Sequence, residues 1–188
     1  MSLFALFQAV CLIWILSEIL LGRLTYHKPE KQERDKRSLK MIWITIIISI
    51  PAGVFLGLQN FGRFPLPGKI SIGVGTFLIA VGLTIRWLAI LTLRRYFTSN
   101  VQILKDHQIV SYGFYSLIRH PAYAGSLLSF LGLGLAFNSW PACITIFVPV
   151  SLAFLYRIKV EEEALLKAFG KEYDAFRQRT KKLIPFIY

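Results

Sequence analysis

Apolar residues in this chain are gathered into long runs, which are separated by short segments dense in charge or in proline and glycine. The first three runs lie at about Leu3–Gly22, Met41–Leu58 and Ile70–Leu93. Because a helix needs about 20 apolar residues to cross the hydrocarbon core of a bilayer, each of these runs predicts a membrane-spanning helix. Two shorter runs, at about Ala122–Phe137 and Pro141–Tyr156, predict a helical hairpin that barely crosses the membrane or re-enters it.

The segments between the runs predict where the helices begin and end. Pro51 predicts a kink in the second helix, and the proline- and glycine-rich segment 60–69 predicts a short loop before the third. A tight turn is predicted at 138–140. After Arg157 the pattern becomes that of a charged, amphipathic helix ending near Thr180. The predicted fold class is all-α integral membrane, with about five transmembrane helices, the last two a short hairpin, and a cytoplasmic amphipathic C-terminal helix.

The composition argues against a water-soluble domain, and the positions of the basic residues argue against the nucleic-acid binding that the net charge of +12 could suggest. With 55% hydrophobic and 17% charged residues, the chain has too few charges to cover a water-soluble domain of its size. Its basic residues lie at the ends of apolar runs, where they face lipid headgroups, and no nucleic-acid-binding motif is present. We therefore expect membrane lipids as partners and no nucleic acid.

The basic residues also predict the orientation of the chain. In a five-span arrangement, segments 23–40, 94–121 and 157–188 lie on one side, and they hold 7, 4 and 8 of the 22 Lys and Arg residues. Loops rich in Lys and Arg stay in the cytoplasm. The sequence therefore predicts an N-terminus outside, with the charged loops and the C-terminus cytoplasmic.

Polar and aromatic residues concentrate in the stretch 107–125, HQIVSYGFYSLIRHPAYAG. Arg119 and His120 come directly before Pro121, at the start of an apolar helix. Free N–H groups at that helix start add partial positive charge, so that a carboxylate or phosphate would bind there. An alternative of equal weight is a loop facing the headgroups, with a snorkelling arginine and interfacial tyrosines.

A second polar stretch, RIKVEEE, follows the last apolar run. Arg157 and Glu161 are four residues apart and share one face of a helix. The adjacent carboxylates at 161–163 repel one another unless cations lie nearby, and Arg119 and His120 on the same membrane side are the candidates. The alternative is a surface ion pair worth under about 1 kcal/mol.

Together these stretches resemble the isoprenylcysteine carboxyl methyltransferase family, part of a wider group that includes phospholipid N-methyltransferases. The matching elements, in order, are His107–Val110, Gly113, Tyr115, RHPAYAG at 119–125, Asn138, Arg157, Glu161-Glu162 and FGKEY at 169–173. The RHPxYxG element alone also occurs in sterol reductases, whereas the ordered combination is specific. We interpret 1–188 as a single membrane domain, with a methyltransferase-like region at 84–185 and a two-helix region at 1–69 that carries no family signature.

The resemblance implies S-adenosyl-L-methionine as methyl donor and a lipophilic small molecule or lipid-linked group as acceptor. Transfer from a sulfonium needs alignment and desolvation, and no metal is expected, since the three histidines are dispersed. Histidine and arginine donors would hold the donor's carboxylate, and aromatic faces its sulfonium. The implied cofactor-binding residues are His107, Gln108, Ile109, Val110, Tyr115, Arg119, His120, Tyr123, Glu162 and Tyr173.

The candidate catalytic residues are Arg157, to anchor the acceptor, and Glu161, to position or deprotonate it. A carboxylate acceptor needs no base and would pair with Arg157 in a bidentate manner. A phenol, enol or amine would need Glu161 to remove a proton. Three alternatives stay open: a phospholipid amine N-methyltransferase, a membrane reductase similar to sterol reductases, and a non-catalytic scaffold.

Two ionisable residues, Glu18 and Arg86, lie inside predicted spans. Such residues mark functional positions by default, because charges are costly in the bilayer. They could pair with each other or line the path of the acceptor. The alternative is that each snorkels independently to the interface.

Overall fold

A computed structural model of the chain describes residues 2–25, 33–59, 61–98 and 108–187. These ranges are dominated by helices, which are, in order, α1 (Leu3–Leu24), α2 (Glu33–Leu58), α3 (Gly68–Leu93), α4 (Pro121–Ala136), α5 (Trp140–Phe169) and α6 (Lys171–Arg179). Single 3-10 turns at Arg94–Tyr96 and Gly113–Ser116 lie between α3 and α4.

Four of the described helices, α1, α2, α3 and α5, are long and apolar enough to cross a membrane. The all-α integral membrane class is therefore confirmed. Helix α4 has 16 residues and is about 24 Å long, which is shorter than the hydrocarbon core of about 30 Å. A fifth crossing depends on α4 and stays a prediction.

The ends of the helices confirm two predicted connections and correct a third. Helix α2 runs through Pro51 to Leu58 and α3 begins at Gly68, so the short loop lies where it was predicted. The turn after α4 is also confirmed, with the Ser139 hydroxyl capping the start of α5. No new helix begins at Arg157, however, because α5 continues without a break to Phe169, and the next helix, α6, begins only at Lys171.

The physical reason for this continuation is that one face of α5 stays buried beyond the apolar run. Arg157, Ile158 and Val160 are all buried against neighbouring helices, so the charged stretch extends the spanning helix. Gly170, at φ +51°, then ends α5 and starts the short helix α6. A positive φ favours glycine at this position, because a side chain would be strained there.

Helices α3 and α4 pack with their backbones in contact at two pairs of glycines. A Cβ atom added at Gly82 would lie 2.4 Å from the carbonyl oxygen of Gly125, and one added at Gly132 would lie 2.6 Å from that of Gly75. The glycines are seven residues apart on each helix, so both pairs lie along one contact line. This contact holds the first turn of α4 beside the last turns of α3.

The remaining helices close around a common apolar core. Helix α2 packs along α5, with Gly53 set directly against Ile146. The Trp14 ring of α1 lies edge-on to Phe130 of α4, with ring centroids 4.9 Å apart. This packing brings the start of α2, the start of α4 and the second half of α5 to the same end of the bundle.

The two intramembrane charges form a bidentate ion pair. Arg86 Nε lies 2.6 Å from Glu18 Oε1, and Arg86 Nη2 lies 2.8 Å from Glu18 Oε2. Arg86 Nη1 also donates to the Ser126 hydroxyl at 2.8 Å, so the guanidinium connects α1, α3 and α4. The structure thus favours pairing over independent snorkelling, because each charge is neutralised inside the bundle.

A double-mutant cycle of Glu18→Gln and Arg86→Gln tests this pair. We expect each single variant to lower the thermal stability, and the cycle to give a coupling energy of about 1–3 kcal/mol in favour of the pair. The measurement is thermal unfolding of the four proteins in one detergent. Strictly additive losses would show that the two charges act independently.

Candidate functional site

A pocket with an empty volume of about 890 Å³, its mouth included, opens at the charged end of the bundle. Its walls come from the end of α3, the segment 108–123, the second half of α5, and α6. The predicted site residues that line it are Gln108, Ile109, Val110, Tyr115, Arg119, His120, Tyr123, Arg157, Glu161 and Tyr173. His107 lies outside the described residues, and Glu162 is not among the lining residues but binds the side chain of Arg119, which is.

Glu162 is held by the basic residues that precede α4. Arg119 Nε donates to Glu162 Oε1 at 2.9 Å, and His120 Nε2 lies 3.3 Å from the same oxygen. Lys182 Nζ is 3.5 Å from the other oxygen. The side chains of Arg119 and Glu162 are only 9% and 12% exposed. The Glu162 carboxylate is therefore paired with the buried Arg119 guanidinium, one of the partners that the sequence suggested, and not with a surface cation alone.

The segment after α6 holds the same loop through its backbone. Arg119 N donates to Lys181 O at 2.8 Å, and His120 N donates to Lys182 O at 3.1 Å. The Arg119 side chain adds a bond of 2.5 Å from Nη1 to Thr180 O. Sequence reasoning missed this clamp, because backbone hydrogen bonds leave no signature in residue type.

Glu161 is oriented by Tyr123 across the α4–α5 interface. The Tyr123 hydroxyl donates to Glu161 Oε2 at 2.8 Å, and His120 Nδ1 lies 4.0 Å from Glu161 Oε1. Tyr123 also lies within hydrogen-bonding reach of Arg157. The two candidate catalytic residues and two predicted cofactor-binding residues therefore meet at one wall of the pocket.

Arg157 is 2% exposed and is bound by two residues of α2. Its Nη1 donates to the Ser38 hydroxyl at 2.7 Å and to the Asp35 carbonyl oxygen at 3.2 Å, and it forms an ion pair with the Asp35 carboxylate. Sequence reasoning missed Asp35 and Ser38, because it placed segment 23–40 outside the helices. The usable signal was their helical spacing with Ile42, which continues the buried face of α2 toward its N-terminus.

Two pocket tyrosines outside the spans stay neutral at ordinary pH. Burial raises the pKa of Tyr115, and the Glu161 carboxylate raises it further. Burial likewise raises the pKa of Tyr173, with Glu162 and Glu161 adding to the effect. These tyrosines can offer an aromatic face or a hydroxyl, but they cannot act as bases.

The Tyr173 hydroxyl is buried and has no hydrogen-bond partner within the described ranges. A buried polar group of this kind is costly unless a ligand or water satisfies it. Elsewhere in the pocket wall α4 begins at Pro121, and the side chain of the preceding His120 makes no capping bond. Both features leave polar groups available to a ligand in the pocket.

Comparison with known sequences shows that most of the pocket residues lie in a region matched by one family profile. The sequence profile described as the isoprenylcysteine carboxyl methyltransferase (ICMT) family matches residues 74–167, which is half of the chain. The match begins inside α3 and ends within α5, and it includes Arg119, His120, Arg157 and Glu161.

Several curated proteins named protein-S-isoprenylcysteine O-methyltransferase are similar to this chain. The Arabidopsis thaliana protein B is 33% identical over 115 residues, covering 60% of this chain and 58% of that protein. The Tribolium castaneum protein is 35% identical over 117 residues, covering 61% and 41%. The Saccharomyces cerevisiae protein is 33% identical over 137 residues, covering 71% and 56%. The aligned part thus spans about three fifths or less of these relatives' length.

A solved structure of the eukaryotic intramembrane Ras methyltransferase ICMT has a similar fold. The comparison gives a TM-score of 0.69 and covers 98% of this chain and 67% of the other. The two sequences are 24% identical, so this likeness establishes the fold alone. It includes α1 and α2, which lie outside the region that the family profile matches.

Proposed function

This chain belongs to the isoprenylcysteine carboxyl methyltransferase family, and from that premise we propose that it is a membrane methyltransferase using S-adenosyl-L-methionine. The proposed acceptor is a carboxyl or hydroxyl group on a lipophilic molecule. The observation that carries the proposal is the convergence of Arg157, Glu161, Tyr123 and His120 on one pocket at the charged end of the bundle.

The residues that line the pocket fit the chemistry of the donor. When bound, S-adenosyl-L-methionine supplies an electrophilic methyl group on a sulfonium. Tyr115 and Tyr123 offer aromatic faces to a cation, and the Tyr173 hydroxyl offers an unsatisfied polar atom. We propose that Gln108–Val110 and Tyr173 surround the nucleoside, as the family resemblance implies, and that His107, Arg119 and His120 contribute to binding the carboxylate.

Arg157 and Glu161 are proposed to act on the acceptor. Arg157 is charged and buried, so it would fix a carboxylate in one orientation where water is excluded. Glu161 accepts a hydrogen bond from Tyr123 and so has a defined position beside Arg157. It can orient a carboxylic acceptor, or it can take the proton from a hydroxyl or amine.

We also propose that the pocket faces the cytoplasm and that the N-terminus lies outside. The ends of α1, α3 and α5 and the starts of α2 and α4 would then share the cytoplasmic side. This assignment is supported by the steep bias of Lys and Arg toward the segments at these helix ends.

The test combines donor binding with identification of the product. Purified protein in lipid nanodiscs is titrated with S-adenosyl-L-methionine, and membranes containing it are incubated with methyl-labelled donor and an isoprenylcysteine carrying a free carboxyl group. We expect saturable donor binding and label in a base-labile methyl ester, with none on the matching carboxamide. Label on phospholipid amines would instead support N-methylation, and absence of donor binding would contradict the proposal.

A further inference from the structure

The first turns of α2 are buried against the pocket, although they lie outside the part of the chain that the family profile matches. Asp35 is 2% exposed and Ser38 is fully buried. Charged residues are seldom buried to this extent unless a partner requires them. Here the partner is Arg157 of α5, which is bound by both residues.

We propose that Asp35 is a positioning residue for Arg157, assisted by Ser38, and that α2 is therefore part of the active site. This inference rests on the proposed function, since it concerns how Arg157 meets the acceptor. Nη1 of Arg157 donates to three acceptors on α2, the Asp35 carboxylate, the Asp35 carbonyl and the Ser38 hydroxyl, which share its two N–H groups. Together they set the direction of the guanidinium.

Asp35 also decides between two possible partners of Arg157. Glu161 lies four residues farther along α5, at the spacing where an arginine and a glutamate pair on one helix face. If Arg157 turned toward Glu161, the two side chains would form an ion pair with each other, and neither would be available to the acceptor. By holding Arg157 from the side of α2, Asp35 leaves Glu161 to its bond with Tyr123.

The test compares Asp35→Asn, Asp35→Glu and Ser38→Ala for donor affinity, kcat and acceptor KM. We expect Asp35→Asn to lower kcat about 100-fold, the loss typical of a misplacement near 1 Å, with donor affinity unchanged. Asp35→Glu should recover part of that loss, because it restores the charge at a slightly different reach. Ser38→Ala should lower kcat about 3- to 10-fold, since one of three bonds is lost.

Two control variants separate positioning from general damage. Ser49→Ala removes another buried serine from α2, about 17 Å along the helix from Ser38, and should have wild-type kinetics. Asp174→Asn removes an exposed carboxylate, in contact with Arg177, and should also leave the kinetics unchanged. A purely structural role would lower thermal stability and donor affinity together, without a selective loss of kcat.

The inference is overturned if folded Asp35→Asn keeps the wild-type kcat. If Asp35→Asn does not yield folded protein, Ser38→Ala decides, and wild-type kinetics in that variant would equally overturn the inference. Failure of the proposed function would look different, because the wild-type protein itself would then bind no donor and methylate nothing. If the wild-type enzyme transfers methyl groups and the Asp35 and Ser38 variants are equally active, only the positioning role of Asp35 is refuted. The proposed function is then unaffected.

Discussion

Replacement of Arg157 by alanine is expected to lower methyl transfer by about 1,000-fold or more, while donor binding stays close to that of the wild type. The reason is that Arg157 is the buried cation at the meeting point of α2, α4 and α5, and the proposed anchor of the acceptor. Loss of one preorganised charge-stabilising group costs about 100- to 1,000-fold in comparable sites, and loss of acceptor orientation adds to that.

Removal of Arg157 also leaves Asp35 buried without its guanidinium, which is expected to destabilise the fold. Arg157→Lys therefore serves as a second variant, because it keeps the charge but loses the planar fork. Lys159→Ala, which removes an exposed cation from the same helix, is the matched control. Turnover of folded Arg157→Ala or Arg157→Lys equal to that of Lys159→Ala would contradict the role of Arg157.

The companion variant Glu161→Ala is also expected to abolish transfer without loss of donor binding. Glu161→Gln then distinguishes the two roles that remain open for Glu161. If the residue only orients a carboxylate acceptor, the amide should retain much of the activity through its bond with Tyr123. If it removes a proton, Glu161→Gln should be as inactive as Glu161→Ala, a loss of about 100- to 10,000-fold. Wild-type turnover by Glu161→Ala would exclude both roles.

The largest effect on the fold is expected from Gly82→Ala. The added methyl group would lie 2.4 Å from the Gly125 carbonyl oxygen and 2.8 Å from the Ser129 backbone nitrogen. Backbone atoms cannot move aside as a side chain can, so α3 and α4 would have to separate. We expect a loss of about 3 kcal/mol or more, at or beyond the upper end for overpacked cores. Thermal unfolding and size-exclusion chromatography in detergent measure this effect.

Gly73→Ala is the matched control on the same helix. Among the described residues, the Cβ atom added there meets only Leu3 Cδ2, at 3.9 Å, which is an ordinary contact. This variant should be neutral or slightly stabilising, because alanine favours a helix by up to about 1 kcal/mol over glycine. Equal melting temperatures for Gly82→Ala and Gly73→Ala would show that the close approach of α3 and α4 does not support the fold.

Part of the candidate site could be predicted from the sequence, and part could not. The order of RHPAYAG and Arg157-x-x-x-Glu161 was readable because the resemblance concerns residue types at fixed spacing. Their meeting in one pocket was an expectation, and the described residues show it. The binding roles assigned to Gln108, Arg119 and their neighbours stay predictions, because the fold does not test which atoms contact a donor.

The apolar runs by themselves determined the all-helical membrane class and the approximate positions of α1, α2 and α3. These properties follow from local length and composition, since a bilayer imposes the same requirement on every helix that crosses it. Only the tertiary structure decided that α5 continues to Phe169 and that Glu18 pairs with Arg86. Only packing also brings Asp35 to Arg157, across 122 residues of chain. Such contacts depend on which helix faces meet, and the burial of a charge is set by its neighbours in space.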